Sequence, residues 1–482
     1  MTASLEIRRA RVLPWLEWAL FAAIAAALVA QALVPPAVGL ADNGDSIRVT
    51  TILGATPVAA DGERYFSRWV RVWALGPPGV WSGYVTSELP FAAAATLAGR
   101  LVGRPDRMDL RLLGAVHLAA WLAACAWLLH GLRRFPLAVR ATAGAALAVI
   151  VTDVGYVAYA NSFYSEPSSL LFLLLVVAAA LPFASGECPC LAAAPWLLAA
   201  AMAGLVAAKA QNAALALPLA ALLWVLVRRG RNGRRRLATV LACALVLFAA
   251  VFARFGNHRW LRNGNVYNAL FVELLPHSPD PAADLRALGL DPALLSLSGT
   301  LWMDRVETWT NPAFESAVFD RVGPARLALF YLRRPGRVAG AAVRTLPTAF
   351  VFRPEDLGNF STEAGRPPGA RTASFSVWSR ARAALLAGSP WPPFAFLLAQ
   401  ATLSASLLSR ARGAVGRALA GLHATMLAIA VVQLLTVVLL AGPRDAVKQL
   451  FLFNAACDAT IVLALAAAAA ALTRRTVRAG AG

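Results

Sequence analysis

Long apolar segments with few charges recur along the chain, separated by short arginine-rich stretches. Each apolar segment holds about 17 to 25 residues, which is enough to cross a hydrocarbon core of about 30 Å as a helix. The period-two alternation of a transmembrane β-barrel is absent. The pattern predicts an all-α polytopic membrane protein with about ten spans, in a range of roughly nine to thirteen. We place them near 13–35, 110–131, 137–156, 164–184, 191–208, 211–228, 236–254, 391–409, 418–441 and 446–472.

Two long polar stretches, 36–109 and 255–390, interrupt this series. Both are longer than simple turns, and counting the spans places both on the same side of the membrane. We therefore expect three regions. They are an N-terminal transmembrane module with the first outer loop (1–254), an outer region (255–390) and C-terminal transmembrane helices (391–482).

Each outer stretch contains a segment whose relation to the membrane the sequence leaves open. Residues 88–103 suit an interfacial helix or a short extra span. Residues 326–352 alternate apolar residues with arginines, as expected for a helix lying at the membrane surface.

Composition supports the membrane assignment: 59% of the 482 residues are hydrophobic, 15% are charged, and the formal net charge is +20. The arginines lie in short loops rather than on one soluble face, so we expect no nucleic-acid partner. Short arginine-rich loops stay in the cytoplasm. The cluster from Arg228 to Arg236 therefore predicts cytoplasmic termini and an outward active face in a bacterial inner membrane.

The first group of candidate chemical residues follows the first span, where Asp42 and Asp45 are three residues apart. If a helix begins here, both carboxylates share one face, and one of them can serve as a general base. An Asx turn with a helix N-cap explains the same residues equally well.

The second group, residues 159–167, joins two spans on the outer side and includes Asn161, Tyr164 and Glu166. Capping of the following helix is one adequate role for Glu166. The density of Asn, Ser, Tyr and Glu beside the membrane is more than packing requires, which favours a functional role.

Only two of the 45 basic residues are lysines, Lys209 and Lys448, and both fall at outer helix ends. Gln211 is close to the first and Arg444 to the second. Because the chain otherwise uses arginine, these lysines suit a compact contact with an anionic group such as phosphate. Snorkelling of either side chain is the alternative.

The second outer stretch offers His258 and Arg259 beside Asn and Trp residues, a composition that suits either a sugar or phosphate surface or a structural lid. No zinc-spaced set, phosphate-binding loop or dinucleotide fingerprint is present. We predict no metal and no cofactor, although carboxylates at 42 and 45 are compatible with a divalent cation.

Taken together, these features resemble the GT-C superfamily of integral-membrane glycosyltransferases, in particular its protein mannosyltransferase and aminoarabinose transferase branch. The resemblance rests on the acidic loop with Asp42 and Asp45, the segment Ser87-Glu88-Leu89-Pro90-Phe91, and Glu166 at the start of a span. The order and spacing cover about the first 230 residues. Residues 161–166 and 448–454 are similar to bacterial glycan-assembly hexosyltransferases.

The resemblance implies transfer of a sugar from a polyprenyl-phosphate donor to a lipid- or glycan-linked acceptor. Asp45, or Asp42, is then expected to act as base. The site residues that we expect to bind donor phosphate or sugar are Lys209, Gln211, Glu166, Arg444, Lys448 and Arg259, and those at the acceptor or lid are Tyr164, Asn161 and His258. A transporter or flippase of a lipid-linked sugar is the alternative from another class. A glycan polymerase or ligase is the nearest enzymatic alternative.

Overall fold

The computed structural model describes residues 15–59, 65–77, 79, 84–185, 193–228, 232–256, 258–354, 359–411, 413–440 and 446–479. The first half contains the helices α1 (Trp15–Ala32), α2 (Ile47–Leu53), α3 (Leu89–Leu101), α4 (Leu110–Leu132), α5 (Leu137–Val151), α6 (Val154–Ala160), α7 (Glu166–Ser185), α8 (Ala194–Ala208), α9 (Ala216–Val227) and α10 (Asn232–Phe255). The second half contains α11 (Arg259–Tyr267), α12 (Pro281–Ala287), α13 (Val306–Trp309), α14 (Pro312–Phe314), α15 (Pro324–Leu332), α16 (Pro335–Thr345), α17 (Val377–Leu386), α18 (Trp391–Arg410), α19 (Gly413–Leu440), α20 (Ala446–Gln449) and α21 (Phe451–Ala479).

Eight helices within the described ranges are long and apolar enough to cross a membrane. A ninth span results if α5 and α6, which meet at a bend of 57°, are taken as one broken helix. The remaining predicted span corresponds to α8, which has only 15 residues. Each of the ten predicted segments therefore contains helix within the described ranges, and the prediction of an all-α polytopic fold is confirmed.

The two ambiguous segments are too short to cross alone. Residues 88–103 form the 13-residue α3, whose axial length is about 20 Å. Residues 326–352 take in most of α15 and all of α16, which have 9 and 11 residues and are separated by Arg333 and Arg334. Leu329 and Leu332 of α15 are exposed, as a helix at a membrane surface requires.

The largest core brings the N-terminal and C-terminal helices together. Side chains of α1 and α4 to α10 share it with those of α19 and α21. A separate apolar cluster, centred on Tyr267, Phe271 and Tyr331, lies within the second long loop. The long loop at 255–390 thus has its own packed interior, which suits a structured region rather than a simple connection.

A small antiparallel sheet in the first long loop was not predicted. Its strands are β1 (Ala55–Pro57), β2 (Val72–Leu75) and β3 (Arg107–Asp109), in the order β1-β2-β3. Trp73 opposes Met108, and both are buried with Phe163 in a third cluster. The strands are too short to show a period of two in the sequence.

The course of the chain defines two ends of the helix bundle. The end that carries the described residues of 33–109 and 256–390 is called the loop end here. The opposite end carries Arg133 and Arg228 and is called the arginine end. The starts of α7 and α21 and the end of α8 all fall at the loop end, so residues that are far apart in sequence meet there.

Candidate functional site

Asp45 and Lys448 form an ion pair at the loop end, between residues 403 positions apart. Arg48, in the first turn of α2, also contacts the Asp45 carboxylate at 2.7 Å. The Asp45 side chain is 21% exposed and that of Lys448 is 6% exposed. Two cations thus hold a carboxylate that remains within reach of solvent.

Electrostatics keep Asp45 ionised. Burial by itself raises the pKa of this carboxyl, but the positive charges of Arg48, Lys448 and Lys209 outweigh burial and hold the pKa well below its usual range. Lys209 is thus one of the cations that act on Asp45, although it lies far from Asp45 in the sequence.

Asp42 has a different environment from Asp45. Its carboxylate accepts hydrogen bonds from the backbone N–H of Gly44 at 2.8 Å and of Ser46 at 3.3 Å, and from the Ser46 hydroxyl. The Asp42 side chain is buried. These contacts form an Asx-type turn that leads into α2, which was the alternative interpretation of this residue.

Tyr164 connects the acidic loop to Lys448. Its hydroxyl donates to the Asn43 side-chain oxygen at 2.6 Å and accepts from the Asn43 backbone N–H at 3.0 Å. The Lys448 ammonium lies over the Tyr164 ring, 5.7 Å from its centroid. Burial, with the charges of Asp42 and Asp45, raises the pKa of the Tyr164 hydroxyl, which therefore stays neutral.

Glu166 and Lys209 form the second ion pair of the site, with 2.6 Å between Oε1 and Nζ. Glu166 is the first residue of α7, and Lys209 follows the last residue of α8 in extended conformation. Both side chains are buried. The other Glu166 oxygen, Oε2, has no hydrogen-bond partner within the described ranges.

An amide network lies beside Lys209. Gln211 donates to the side-chain oxygen of Gln433 at 2.9 Å and to the backbone carbonyl of Gln449 at 3.1 Å. Gln433 in turn donates to Asn212 at 2.9 Å. The network connects the turn after α8 to α19 and to the residue that follows Lys448, so it fixes the two lysine-bearing segments relative to each other.

Asn161 is placed by the structure in a tightly packed position. Its amide nitrogen donates to the carbonyls of Ala32 at 2.8 Å and Val38 at 2.6 Å. Trp69 donates to the Asn161 carbonyl at 3.0 Å, and its indole lies against Gly39, where a Cβ atom would be only 2.4 Å away. These contacts tie the segment before Asp42 to the end of α6.

The candidates of the second long loop have partners of their own. Arg259 is 57% exposed and pairs with Glu315 at 2.8 Å and with Asp320 at 3.2 Å. His258 caps α11 by accepting from the Trp260 backbone N–H at 3.2 Å. These contacts tie them to the second long loop rather than to the Asp45 group. Arg444 lies outside the residues that the structure describes.

Glu88 and His117 form a buried pair that we did not select from the sequence. The His117 Nε2 atom is 2.8 Å from Glu88 Oε1, and both side chains are fully buried. The signal was present, because an ionisable residue inside a span is a functional candidate by default.

Within the described ranges, no three His, Cys, Asp or Glu side chains gather as a metal site requires. The site instead combines the ionised, partly exposed carboxylate of Asp45 with the buried lysines Lys209 and Lys448 at the loop end. Such a site can accept a proton on one side and bind an anionic group on the other.

Comparison with known proteins gives a family and a distant structural likeness. The family model described as the YfdI N-terminal transmembrane domain matches residues 7–480. No curated protein is significantly similar in sequence. The chain is similar to the crystal structure of the Archaeoglobus fulgidus oligosaccharyltransferase in the apo form, with a TM-score of 0.43 and 13% identity. The match covers 97% of this chain and 52% of that one, so this chain spans about half the length of that protein.

The family match covers nearly the whole chain and agrees with the eight candidate spans of the described residues. The protein is therefore a multi-pass membrane protein that belongs to the YfdI N-terminal transmembrane domain family.

Proposed function

We propose that this protein is a membrane glycosyltransferase that transfers a sugar from a polyprenyl-phosphate donor to a lipid- or glycan-linked acceptor. The observation that supports this most is the convergence of Asp45 with Lys448 and Lys209, the two lysines of the chain, at one end of the bundle. The proposed location is the outer face of the bacterial inner membrane, with cytoplasmic termini, because the arginine-rich turns lie at the opposite end.

Asp45 is the proposed base, in preference to Asp42. Both Asp42 oxygens accept hydrogen bonds from its own turn. Asp45 is bound by the cationic side chains of Arg48 and Lys448, which can bind another anion instead, and its own side chain is partly exposed. In the reaction, the acceptor hydroxyl gives its proton to Asp45 while its oxygen attacks the anomeric carbon. The bond from that carbon to the phosphate oxygen breaks, and polyprenyl phosphate leaves.

The lysines take the charge of the leaving phosphate. In the structure Lys448 neutralises Asp45, which keeps the carboxylate a weak base. A donor phosphate competes for the ammonium group, and departure of Lys448 from Asp45 raises the basicity of the carboxylate. Donor binding thus prepares the base, and we expect the donor to bind before the acceptor.

The experiment is sugar transfer in proteoliposomes that contain the purified full chain and a panel of radiolabelled polyprenyl-phosphate sugars. We expect one donor to be consumed, and Asp45→Asn to lower the rate by about 10²- to 10⁴-fold, as expected for loss of a general base. Asp106→Asn is the matched control, because Asp106 lies in the same loop and its side chain is 74% exposed.

The outcomes separate the candidate functions. Transfer that disappears in Asp45→Asn while donor binding remains supports both the activity and the base. Movement of a lipid-linked sugar across the bilayer without any transfer supports the transporter alternative and overturns the proposal. Transfer that is unchanged in Asp45→Asn retains the activity and removes the base assignment.

A further inference from the structure

Two arginines of the second long loop, Arg353 and Arg371, are held together by reciprocal hydrogen bonds. Arg353 Nη1 donates to the backbone carbonyl of Thr372 at 3.0 Å, and Arg371 Nη1 donates to that of Pro354 at 2.7 Å. Because each acceptor is the residue that follows the other arginine, the bonds bring the two guanidinium groups close together. Both arginines are partly exposed.

Neither arginine forms an ion pair with another described residue, and the carbonyl bonds leave most of the N–H donors of each guanidinium group unused. Burial, with the positive charge of Arg371, lowers the pKa of Arg353 to about 10, so both groups stay cationic near neutral pH. Asp153 acts on Arg353 with its negative charge, but its oxygens accept hydrogen bonds from the backbone N–H groups of Gly155 and Ser379 at 2.8 Å. Two adjacent positive charges of this kind favour binding of an anion.

The arginine pair is connected to the start of α6. The backbone N–H of Val154, the first residue of α6, donates to the Phe375 carbonyl at 2.8 Å. The other end of α6 leads to Tyr164, whose hydroxyl contacts the acidic loop. The seven residues of α6 span about 10 Å. The arginine pair and the Asp45–Lys448 pair therefore lie towards opposite ends of one short helix, as two separate cationic sites.

Exposed apolar side chains follow the arginine pair. Phe375 is 46% exposed, and Val377 and Leu385 of α17 are 77% and 73% exposed. Helix α17 is held against the bundle by the buried pair of Arg382 with Asp458. A helix with an outward apolar face suits the boundary between the head groups and the hydrocarbon chains of a membrane. The arginine pair is therefore next to a surface on which the chain of a lipid can lie.

We propose that Arg353 and Arg371 bind the head group of a second anionic lipid, which is the lipid-linked acceptor, while the donor phosphate binds the two lysines. The assignment to the acceptor rests on the proposed function. Guanidinium groups bind phosphate oxygens through paired, parallel hydrogen bonds. Two such groups match a head group with two negative charges, such as a diphosphate, better than the single charge of an ordinary phosphodiester. The chain of the lipid then lies against Phe375 and Val377.

The test is isothermal titration calorimetry of the detergent-solubilised full chain with farnesyl diphosphate, which counts the sites per chain. We expect two sites in the wild type. Arg353→Gln/Arg371→Gln should lose one of them, because loss of each hydrogen bond to a charged group weakens binding by about tenfold or more. Lys448→Met should weaken the other site and leave the arginine site unchanged.

Arg321→Gln/Arg326→Gln is the matched control. It removes the same charge from two exposed arginines of the same loop, and Arg326 likewise donates to a backbone carbonyl, that of Arg321, at 2.9 Å. Both sites should persist in it. Arg353→Lys/Arg371→Lys replaces the first variant if that variant fails to fold. It retains both charges but not the planar fork, and the affinity of the arginine site should fall by about tenfold.

Further probes identify the source of the bound anion. Inorganic diphosphate should bind the arginine site at least about tenfold more weakly, because burial of about two CH₂ groups is enough for that factor. Equal affinity overturns the lipid assignment. In proteoliposomes with radiolabelled farnesyl diphosphate, phosphatidylglycerol mixed with phosphatidylcholine should leave the probe bound at the arginines. Displacement of the probe by phosphatidylglycerol makes the pair a site for bilayer phospholipid and overturns the acceptor assignment.

The remaining outcomes separate this site from the proposed function. A single site that Lys448→Met weakens and the arginine variants do not overturns the arginine site and leaves the glycosyltransferase proposal intact. A single site that only the arginine variants remove retains the arginine site and removes the phosphate role of Lys448. Absence of any binding overturns the arginine site. So does binding that appears only in Glu355→Gln/Asp356→Asn, because these residues, which follow Pro354 and lie outside the described ranges, would then be an internal counter-ion.

Discussion

Two of the ion pairs that connect distant parts of this chain, Asp458–Arg382 and Asp45–Lys448, differ in how much of each carboxylate is already occupied. The Asp458 carboxylate binds Arg382 through one oxygen and accepts from Tyr156 at 2.6 Å and Trp378 at 3.0 Å through the other. The Asp45 side chain contacts Lys448 and Arg48 among the described residues, and it is 21% exposed.

The surroundings of the cations differ as well. The Arg382 guanidinium lies over the rings of Phe350 and Phe352, within 5.0 Å of their centroids, and its side chain is 3% exposed. In this pair both carboxylate oxygens are occupied, and the pair anchors α17 to α21. Lys448 lies beside one ring and a partly open carboxylate. The same pairing of charges therefore attaches two helices in one place, and we propose that it exchanges a ligand in the other.

The largest effect is expected from disrupting the closed pair. Asp458→Ala leaves Arg382 buried without its partner, which costs about 3–5 kcal/mol in other buried pairs. We expect loss of the folded protein, or a large fall in Tm, measured by thermal unfolding in detergent. The double variant Arg382→Met/Asp458→Leu should recover much of the loss, because it removes both charges. Equal instability of the single and double variants would contradict this account.

The second prediction concerns the open pair. Lys448→Met removes a cation that we assign to the donor phosphate, and hydrogen bonds to charged groups contribute about 1.5–3 kcal/mol. We expect the affinity for a polyprenyl-phosphate sugar to fall by about tenfold to a hundredfold, with a small change in Tm. Arg333→Met, which removes an exposed charge at the same end, is the control. A collapse in Tm with unchanged donor affinity would show that Lys448 is an anchor like Arg382.

Much of the fold was predictable because crossing a bilayer is a local requirement. A segment such as 418–441 needs only length and apolar composition, and the structure has a helix over Gly416–Leu440. The sheet formed by β1, β2 and β3 was missed because its strands hold only three or four residues each. The strands also pair across long stretches of intervening chain. Pairing of that kind leaves little local signal.

Several of the residues that meet at the loop end could be selected from the sequence, but their pairings could not. The rarity of lysine identified Lys209 and Lys448, and the structure brings both to Asp45. Nothing in the spacing indicated that Lys448 would meet Asp45 rather than Glu166. Those contacts depend on the packing order of helices, which a single sequence does not report. His117 was passed over because an isolated histidine in an apolar helix is ambiguous until its neighbour is known.

A smaller effect is expected at Asp42, which the structure places in a turn. Asp42→Ala removes the three hydrogen bonds that this carboxylate accepts from its own turn, and each such bond contributes about 0.5–1.5 kcal/mol net. We expect a moderate fall in Tm. Asp42→Asn should be milder, because the amide oxygen still accepts from the Gly44 and Ser46 backbone. Loss of transfer in Asp42→Asn at unchanged Tm would move the base from Asp45 to Asp42.

The smallest effect is the contribution of Asp45 to stability as a function of pH. Its pKa in the folded protein is lower than the ordinary value of 3.8, because nearby cations outweigh burial. The folded state therefore binds this proton less readily than the unfolded state does. The stabilisation is fully present above about pH 4 and is lost as pH falls through the lowered pKa of the folded state. Comparison of Tm from pH 7 down to about pH 3 for the wild type and Asp45→Asn measures it. The wild type should lose more Tm than the variant on acidification, and parallel curves would mean that Lys448 and Arg48 do not stabilise the ionised carboxylate.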